Sequence, residues 1–183
     1  KKGYFGDKPL SEAYGDAQQL MATGKAGMHI TGSWMCAQYS DPEFTDQTMG
    51  FYAFPILEGG MGKATDVMGQ TDIGFAATHV AKGKKDAVVR FMKYAMDPEP
   101  CSAEPGRICS VPGVKSPSRL NAMASAVFAT AETVQFWWDQ DLPPMVTTPL
   151  NDTMQNFFLP DADVKKALTK YEELVEENMG PAK

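Results

Sequence analysis

Three stretches of the chain carry apolar residues at the three-to-four spacing of a half-buried helix. Ala13, Ala17, Leu20 and Met21 share one stripe, with Ser11 placed to cap the helix and Gly24 placed to end it. Ala87, Val88, Phe91, Met92, Ala95 and Met96 share a second, which Pro98 closes. Val164, Ala167, Leu168, Tyr171, Leu174 and Val175 share the third, expected to open at Pro160-Asp161 and to stop at Gly180. Shorter helices are expected from Ser33 to about Tyr39, with Ser33 as cap, from Ser118 to about Thr130, and around Leu150 to Phe158. Alternation of period two predicts strands at Ala26 to Thr31, Gly50 to Pro55 and Thr71 to Ala77. Asp41-Pro42 breaks the chain between two of these elements, and Glu58 to Lys63 reads as a flexible glycine-rich loop. The stretch from Asp97 to Pro117 predicts an irregular crossing or a short helix with loops. Phe136 to Pro144, which concentrates aromatics beside acids and ends in Pro-Pro, predicts a loop. Strands alternating with helices make the class α/β.

Composition narrows the picture. The chain has 183 residues, 43% hydrophobic and 22% charged, which suits one ordinary soluble core and contains no apolar run of about 20 residues. A net charge of -6 with scattered basic residues argues against a nucleic-acid partner, because phosphate contacts need clustered Lys or Arg. Lys82, Lys84 and Lys85 form the nearest cluster and read as the solvated start of a helix. No cofactor is implied. Cys36, Cys101 and Cys109 include no Cys-x-x-Cys, and His29 and His79 lie far from them and from each other, so no metal site is expected. Cys101 and Cys109 are close enough to close a small loop as a disulfide, leaving Cys36 free and buried. The opening Lys1-Lys2-Gly3-Tyr4-Phe5 carries neither an initiator Met nor an apolar signal core, and an earlier segment is expected to precede it.

Candidate chemistry concentrates in two places. A pyranose offers an apolar C–H face and a rim of hydroxyls, and a site for it needs flat aromatic rings with planar acceptors and donors beside them. Trp34, Trp137, Trp138, Asp139 and Gln140 are such a set, although an indole ring also serves as ordinary core and Asp139 equally suits a helix cap. The Gly32-Ser33-Trp34 turn offers the free N–H groups of a helix start, which Ser33 can cap or a ligand can use. Asp139 and Asp141, with Glu132 nearby, raise the paired carboxylates of a glycoside hydrolase. Neighbouring acids on one loop point in different directions and are usually solvated, so no catalytic residue is assigned and the chain is read as a binding protein rather than an enzyme.

The ordered set Gly-Lys-Ala-Gly-Met-His-Ile-Thr-Gly-Ser-Trp, Gly-Phe-Tyr-Ala-Phe-Pro, a glycine-rich turn, then a strand and an alanine-rich helix resembles the C-terminal half of the family 1 extracellular solute-binding proteins. These are the maltose-binding-protein-like receptors of sugar ABC importers. The Trp-Trp-Asp-Gln-Asp-Leu-Pro-Pro stretch and the last helix resemble the tail of sugar-binding members. The resemblance implies a periplasmic-binding-protein-like II fold, two lobes joined by hinge strands, present here as a C-terminal portion. Residues 1–66 and 117–183 would then belong to the C-terminal lobe, and 67–116 would cross to give a strand and a helix to the N-terminal lobe. It also implies Trp34, Ser33, Gln70, Trp137, Trp138 and Asp139 as ligand contacts around a cleft holding a mono- or oligosaccharide. The partners would be the membrane permease and the missing N-terminal half. The compartment would be the periplasm or, for a lipoprotein, the surface of a bacterium. A carbohydrate-binding module without transport is the alternative, distinguished by whether the protein closes on its ligand.

Overall fold

A computed structural model describes residues 3–7, 9–71, 74–103 and 107–180. It is a mixed structure, largely helical with a small sheet, and its chain divides into two compact units: Lys1–Asp16 with Phe136–Lys183, and Ala17–Gln135.

In the Ala17–Gln135 unit the core forms where a tight turn meets a capped helix. Helix α1, Tyr14–Ala22, carries Ala22 into the interior and ends at Gly24, whose φ of +69° takes the left-handed turn that lets Lys25 N–H bond back to the Leu20 carbonyl. Ser11 does not cap it. That serine lies in a single 3-10 turn, Pro9–Ser11, and the helix start is held instead by the Asp16 carboxylate accepting the Ala13 N–H at 2.9 Å. Ser33 likewise is not a cap but the first residue of a 3-10 turn, Ser33–Cys36, followed by a second, Gln38–Ser40, in place of one continuous helix. Met35, Cys36 and Tyr39 from these turns pack with Met49 and with Leu120 and Ala124 of a later helix.

Among the described residues none of the three predicted strands forms. Ala26 to Thr31 lies in no strand and bends at Gly27, and its apolar members Met28 and Ile30 face solvent while His29 is half-buried. His29 Nδ1 and Tyr39 Oη lie 2.7 Å apart, a contact that favours the opposite face. Gly50 to Pro55 also lies in no strand among the described residues, and Phe51 packs against the core. Of Thr71 to Ala77, Asp72 and Ile73 lie outside the described residues, and Thr71 and Gly74 to Ala77 are in no strand.

The sheet consists of two strands that were not expected. β1, Asp66–Met68, and β2, Thr133–Gln135, pair in parallel with Val67 opposite Val134. The connection between them runs through α2 (Lys85–Ala95), α3 (Pro98–Ala103) and α4 (Arg119–Ala129), as a parallel pair requires. α2 stops before Pro98, and α3 opens on that proline, matching the expected short helix in the irregular stretch. α4 is the helix expected after Ser118, whose hydroxyl side chain accepts from Asn121 N–H at its start. Cys101 and Cys109 form a disulfide with Cα atoms 5.5 Å apart, and the loop it closes is tied to α4: the buried Asn121 Nδ2 donates to the Arg107 carbonyl at 3.1 Å, and Ile108 packs on the core. Arg119 Nη2 donates to the Met49 carbonyl. Cys36 is free and buried, and burial pushes its thiol up to about 11.

The unit of Lys1–Asp16 with Phe136–Lys183 is helical. The aromatic stretch expected to be a loop contains one helical turn, α5 (Trp138–Asp141), a period too short to register in sequence. Pro143-Pro144 does not break the chain but starts α6, Pro144–Asn156, since a proline in the first turn has no N–H to lose and its φ is already helical. The helix therefore begins six residues ahead of the expected Leu150. α7, Val164–Met179, begins after Pro160-Asp161, where the Asp163 carboxylate accepts the Lys166 N–H at 3.0 Å, and ends at Gly180. α6 and α7 pack on one another around the buried Val146 and Leu150, and Tyr171 Oη donates to the Val146 carbonyl at 3.3 Å.

Candidate functional site

The predicted contact residues fall on two local structures, one in each unit. Ser33 and Trp34 occupy the 3-10 turn that delivers Met35 and Cys36 to the core. A turn of this kind sends consecutive side chains in different directions, so Trp34 stays at the surface, 46% exposed, while its two successors are buried. Its ring folds back over Gly32: a Cβ at that position would collide with the six-membered ring, so the glycine is required by close approach. Gly32 is extended, and its carbonyl accepts the Met35 N–H at 3.1 Å, closing the turn.

Gln70 is half-buried and follows Gly69, whose N–H continues the sheet by donating to the Gln135 carbonyl at 3.0 Å. Phe128 of α4 lies over Gly69, leaving no room there for a side chain. The position of Gln70 is thereby set from both sides, by the end of β1 and by α4.

Trp137, Trp138, Asp139 and Gln140 lie on and beside α5. Trp137 is half-buried and its carbonyl accepts from Gln140 N–H at 3.0 Å and from Asp141 N–H at 2.9 Å, which forms the turn. Trp138 is 47% exposed, and Asp139, Gln140 and Asp141 are exposed. Asp139 is not a cap, because it lies inside the helical turn and Trp137 holds the cap position. The result is a partly covered indole and an open indole followed by a carboxylate and an amide, a set able to stack on a C–H face and bond hydroxyls at its rim.

Two surface cavities lie away from these residues. One of about 360 Å³ is bounded by Phe157, Leu159, Pro160 and Ala162 where α6 leads into α7, and another of about 400 Å³ by Lys82 to Ala87 at the start of α2. Both are shallow and open to solvent, and neither includes a predicted contact. The aromatic residues are better described as platforms than as the walls of an enclosed pocket.

Among the described residues no group of three His, Cys, Asp or Glu side chains could hold a metal ion, and no helix is long and apolar enough to cross a membrane. Sequence reasoning missed the roles of Gly32 and Gly69. For Gly32 a signal existed, a glycine two residues before a large aromatic, whereas Gly69 and Phe128 are far apart in the chain. Comparison with protein-family models, with curated proteins and with solved structures gives no match.

Proposed function

We propose that this chain is part of an extracytoplasmic solute-binding protein of a carbohydrate ABC importer, with the periplasmic-binding-protein-like II fold in its complete form. It binds a mono- or oligosaccharide and delivers it to the membrane permease. The observation that carries this reading is the α5 turn, which presents an exposed indole, a carboxylate and an amide on consecutive residues. The half-exposed Trp34 and the order of sequence segments support it further. The disulfide between Cys101 and Cys109 supports an oxidising compartment, the periplasm or cell surface, where such bonds persist. Exposed apolar segments such as Gly50 to Leu57, with Tyr52, Phe54 and Ile56 in solvent, support an N-terminal half as a further partner, since such surface is usually covered.

The test is a thermal-shift screen against mono- and oligosaccharides, because a ligand that binds only the native state raises its melting temperature. One sugar class is expected to do so. Trp34→Ala and Trp138→Ala are each expected to weaken its binding by more than about 1 kcal/mol, the scale of an aromatic contact, without lowering the melting temperature of the unliganded protein by a comparable amount. Full affinity in both variants would remove the stacking role, and a screen with no shift for any sugar, on the chain alone or joined to its N-terminal half, would remove the proposal.

A further inference from the structure

We infer that α7 is a self-association surface, on which a second copy of this chain docks with its own α7 antiparallel about a two-fold axis.

The helix has two apolar stripes where packing on α6 needs one. Ala167, Tyr171 and Leu174 are half-buried, and the Tyr171 bond to the Val146 carbonyl puts this side at the seam with α6. Successive helical residues advance by about 100°, so Val164, Leu168, Val175 and Met179 run along the flank of that seam as a second stripe. Of these, Val164 is 44%, Leu168 43% and Met179 49% exposed, while Val175 is half-buried where the stripe adjoins the seam.

The charges identify the occupant. Lys165, Lys166 and Lys170 occupy the N-terminal half of α7, and Glu172, Glu173, Glu176 and Glu177 the C-terminal half. Beyond the Asp163 carboxylate that caps its start, this polarity is the reverse of the one a helix favours: its N-terminus carries partial positive charge and prefers acids, and its C-terminus prefers bases. Local stability therefore does not account for the arrangement. Against an antiparallel copy of itself the same arrangement becomes favourable, since the lysine half of each helix lies beside the glutamate half of the other and the two macrodipoles oppose. A parallel copy would place lysine on lysine.

The register is also self-complementary. With the axis passing between Tyr171 and Glu172, Val164 meets the partner's Met179 and Leu168 meets the partner's Val175. Lys165 and Glu176 border the stripe on its solvent side and come within reach of the partner's Glu176 and Lys165. Each contact then occurs twice, as an isologous two-fold interface requires. A helix of this length, about 24 Å, buries less than the roughly 1,200 Å² of a stable interface, so the dimer is a weak one, populated at high protein concentration.

Sedimentation equilibrium of the 183-residue chain, from about 10 µM to about 1 mM in low salt, reads this directly. The mass is expected to rise from 20.0 kDa toward twice that value, and the dissociation constant to weaken severalfold as salt screens the exposed charges. Lys165→Glu and Glu176→Lys are each expected to weaken self-association about tenfold, because each places like charges opposite one another twice. Mixed in equal amounts the two variants are expected to associate with each other to within about threefold of the parent, since opposite charges then face again. Lys165→Glu also puts an acid in the first helical turn, so its melting temperature should be unchanged or higher, which separates lost docking from lost folding. A mass of 20.0 kDa across the range, association indifferent to both substitutions, or a mixture that stays monomeric would each overturn the inference.

Discussion

α2 and α4 are both eleven residues long and both lie in the Ala17–Gln135 unit, yet they are held in opposite ways. α2 has the sharper segregation of apolar from charged positions and buries none of its residues fully; Phe91 in the middle of its apolar face is 56% exposed and meets Phe75 edge to face with centroids 5.5 Å apart. α4, Arg-Leu-Asn-Ala-Met-Ala-Ser-Ala-Val-Phe-Ala, has a weaker pattern but buries Leu120, Asn121 and Ala124. What separates them is the partners supplied. α4 receives the 3-10 turns at Ser33–Cys36 and Gln38–Ser40, the Met49 carbonyl through Arg119, and the disulfide loop through Asn121. Amphipathy thus announces that a helix will form and which face seeks cover, but the cover itself is a property of other parts of the chain.

The largest expected effect tests that difference. Leu120→Ala should cost about 2 to 5 kcal/mol, the range for emptying a buried leucine site, while Phe91→Ala should cost under about 1 kcal/mol because much of its ring is already in water. Urea unfolding of the two variants side by side gives both numbers. Equal losses would mean that the α2 face is covered in solution, and the contrast between the helices would fail.

A smaller effect should follow from opening the loop that covers α4. Replacing Cys101 and Cys109 together by serine removes the constraint on the unfolded chain, worth about 2 kcal/mol for so short a loop. It also frees the Arg107 carbonyl from the position in which Asn121 reaches it. Hydrogen exchange should quicken in the first turns of α4 and remain as it was in α2. Unchanged exchange in α4 would show that Ile108 and the Asn121 bond hold the loop without the bridge.

The same contrast explains how much of the structure was legible in sequence. Helices with a clear start or stop were read closely, α4 from Ser118, α2 stopped by Pro98 and α7 stopped by Gly180, but the caps expected at Ser11 and Ser33 are not there. Elements decided by distant partners were not. Ala26 to Thr31 alternates as a strand should, but it lies in no strand, and His29, within 2.7 Å of Tyr39 Oη, is turned inward in place of the apolar face. Val67 and Val134 pair across an intervening stretch that holds a 3-10 helix, His79–Lys84, and the three α-helices α2 to α4, a contact that no local period encodes. Pro143-Pro144 was ambiguous in itself, since the same dipeptide ends one helix as readily as it begins another. For the candidate site, the aromatic and polar residue types at 137 to 140 were visible, as was the glycine two residues before Trp34, whereas the helical turn that orders the first set and the fold of the indole over Gly32 emerged only with the backbone.

The smallest expected effect concerns pH and is felt on the α4 side of the comparison. His29 is partly buried against Tyr39, itself a member of the core that α4 completes, and desolvation there lowers the imidazole below its ordinary value of 6.5. The sign follows from proton binding. Between the lowered folded value and the ordinary unfolded one, the unfolded chain holds more protons than the folded chain, so stability rises with pH across that window. The His29 contribution is complete above the unfolded value and is lost as pH falls from there through the folded value. His29→Gln keeps a side chain able to bond Tyr39 Oη and removes the titration. The parent should therefore lose stability on mild acidification more steeply than the variant, and the difference should appear as faster hydrogen exchange in α4 and the Ser33–Cys36 turn with little change in α2. Parallel pH profiles for parent and variant would show that His29 is solvated well enough to charge at no cost, and that the segment from Ala26 to Thr31 is held to the core by something other than this bond.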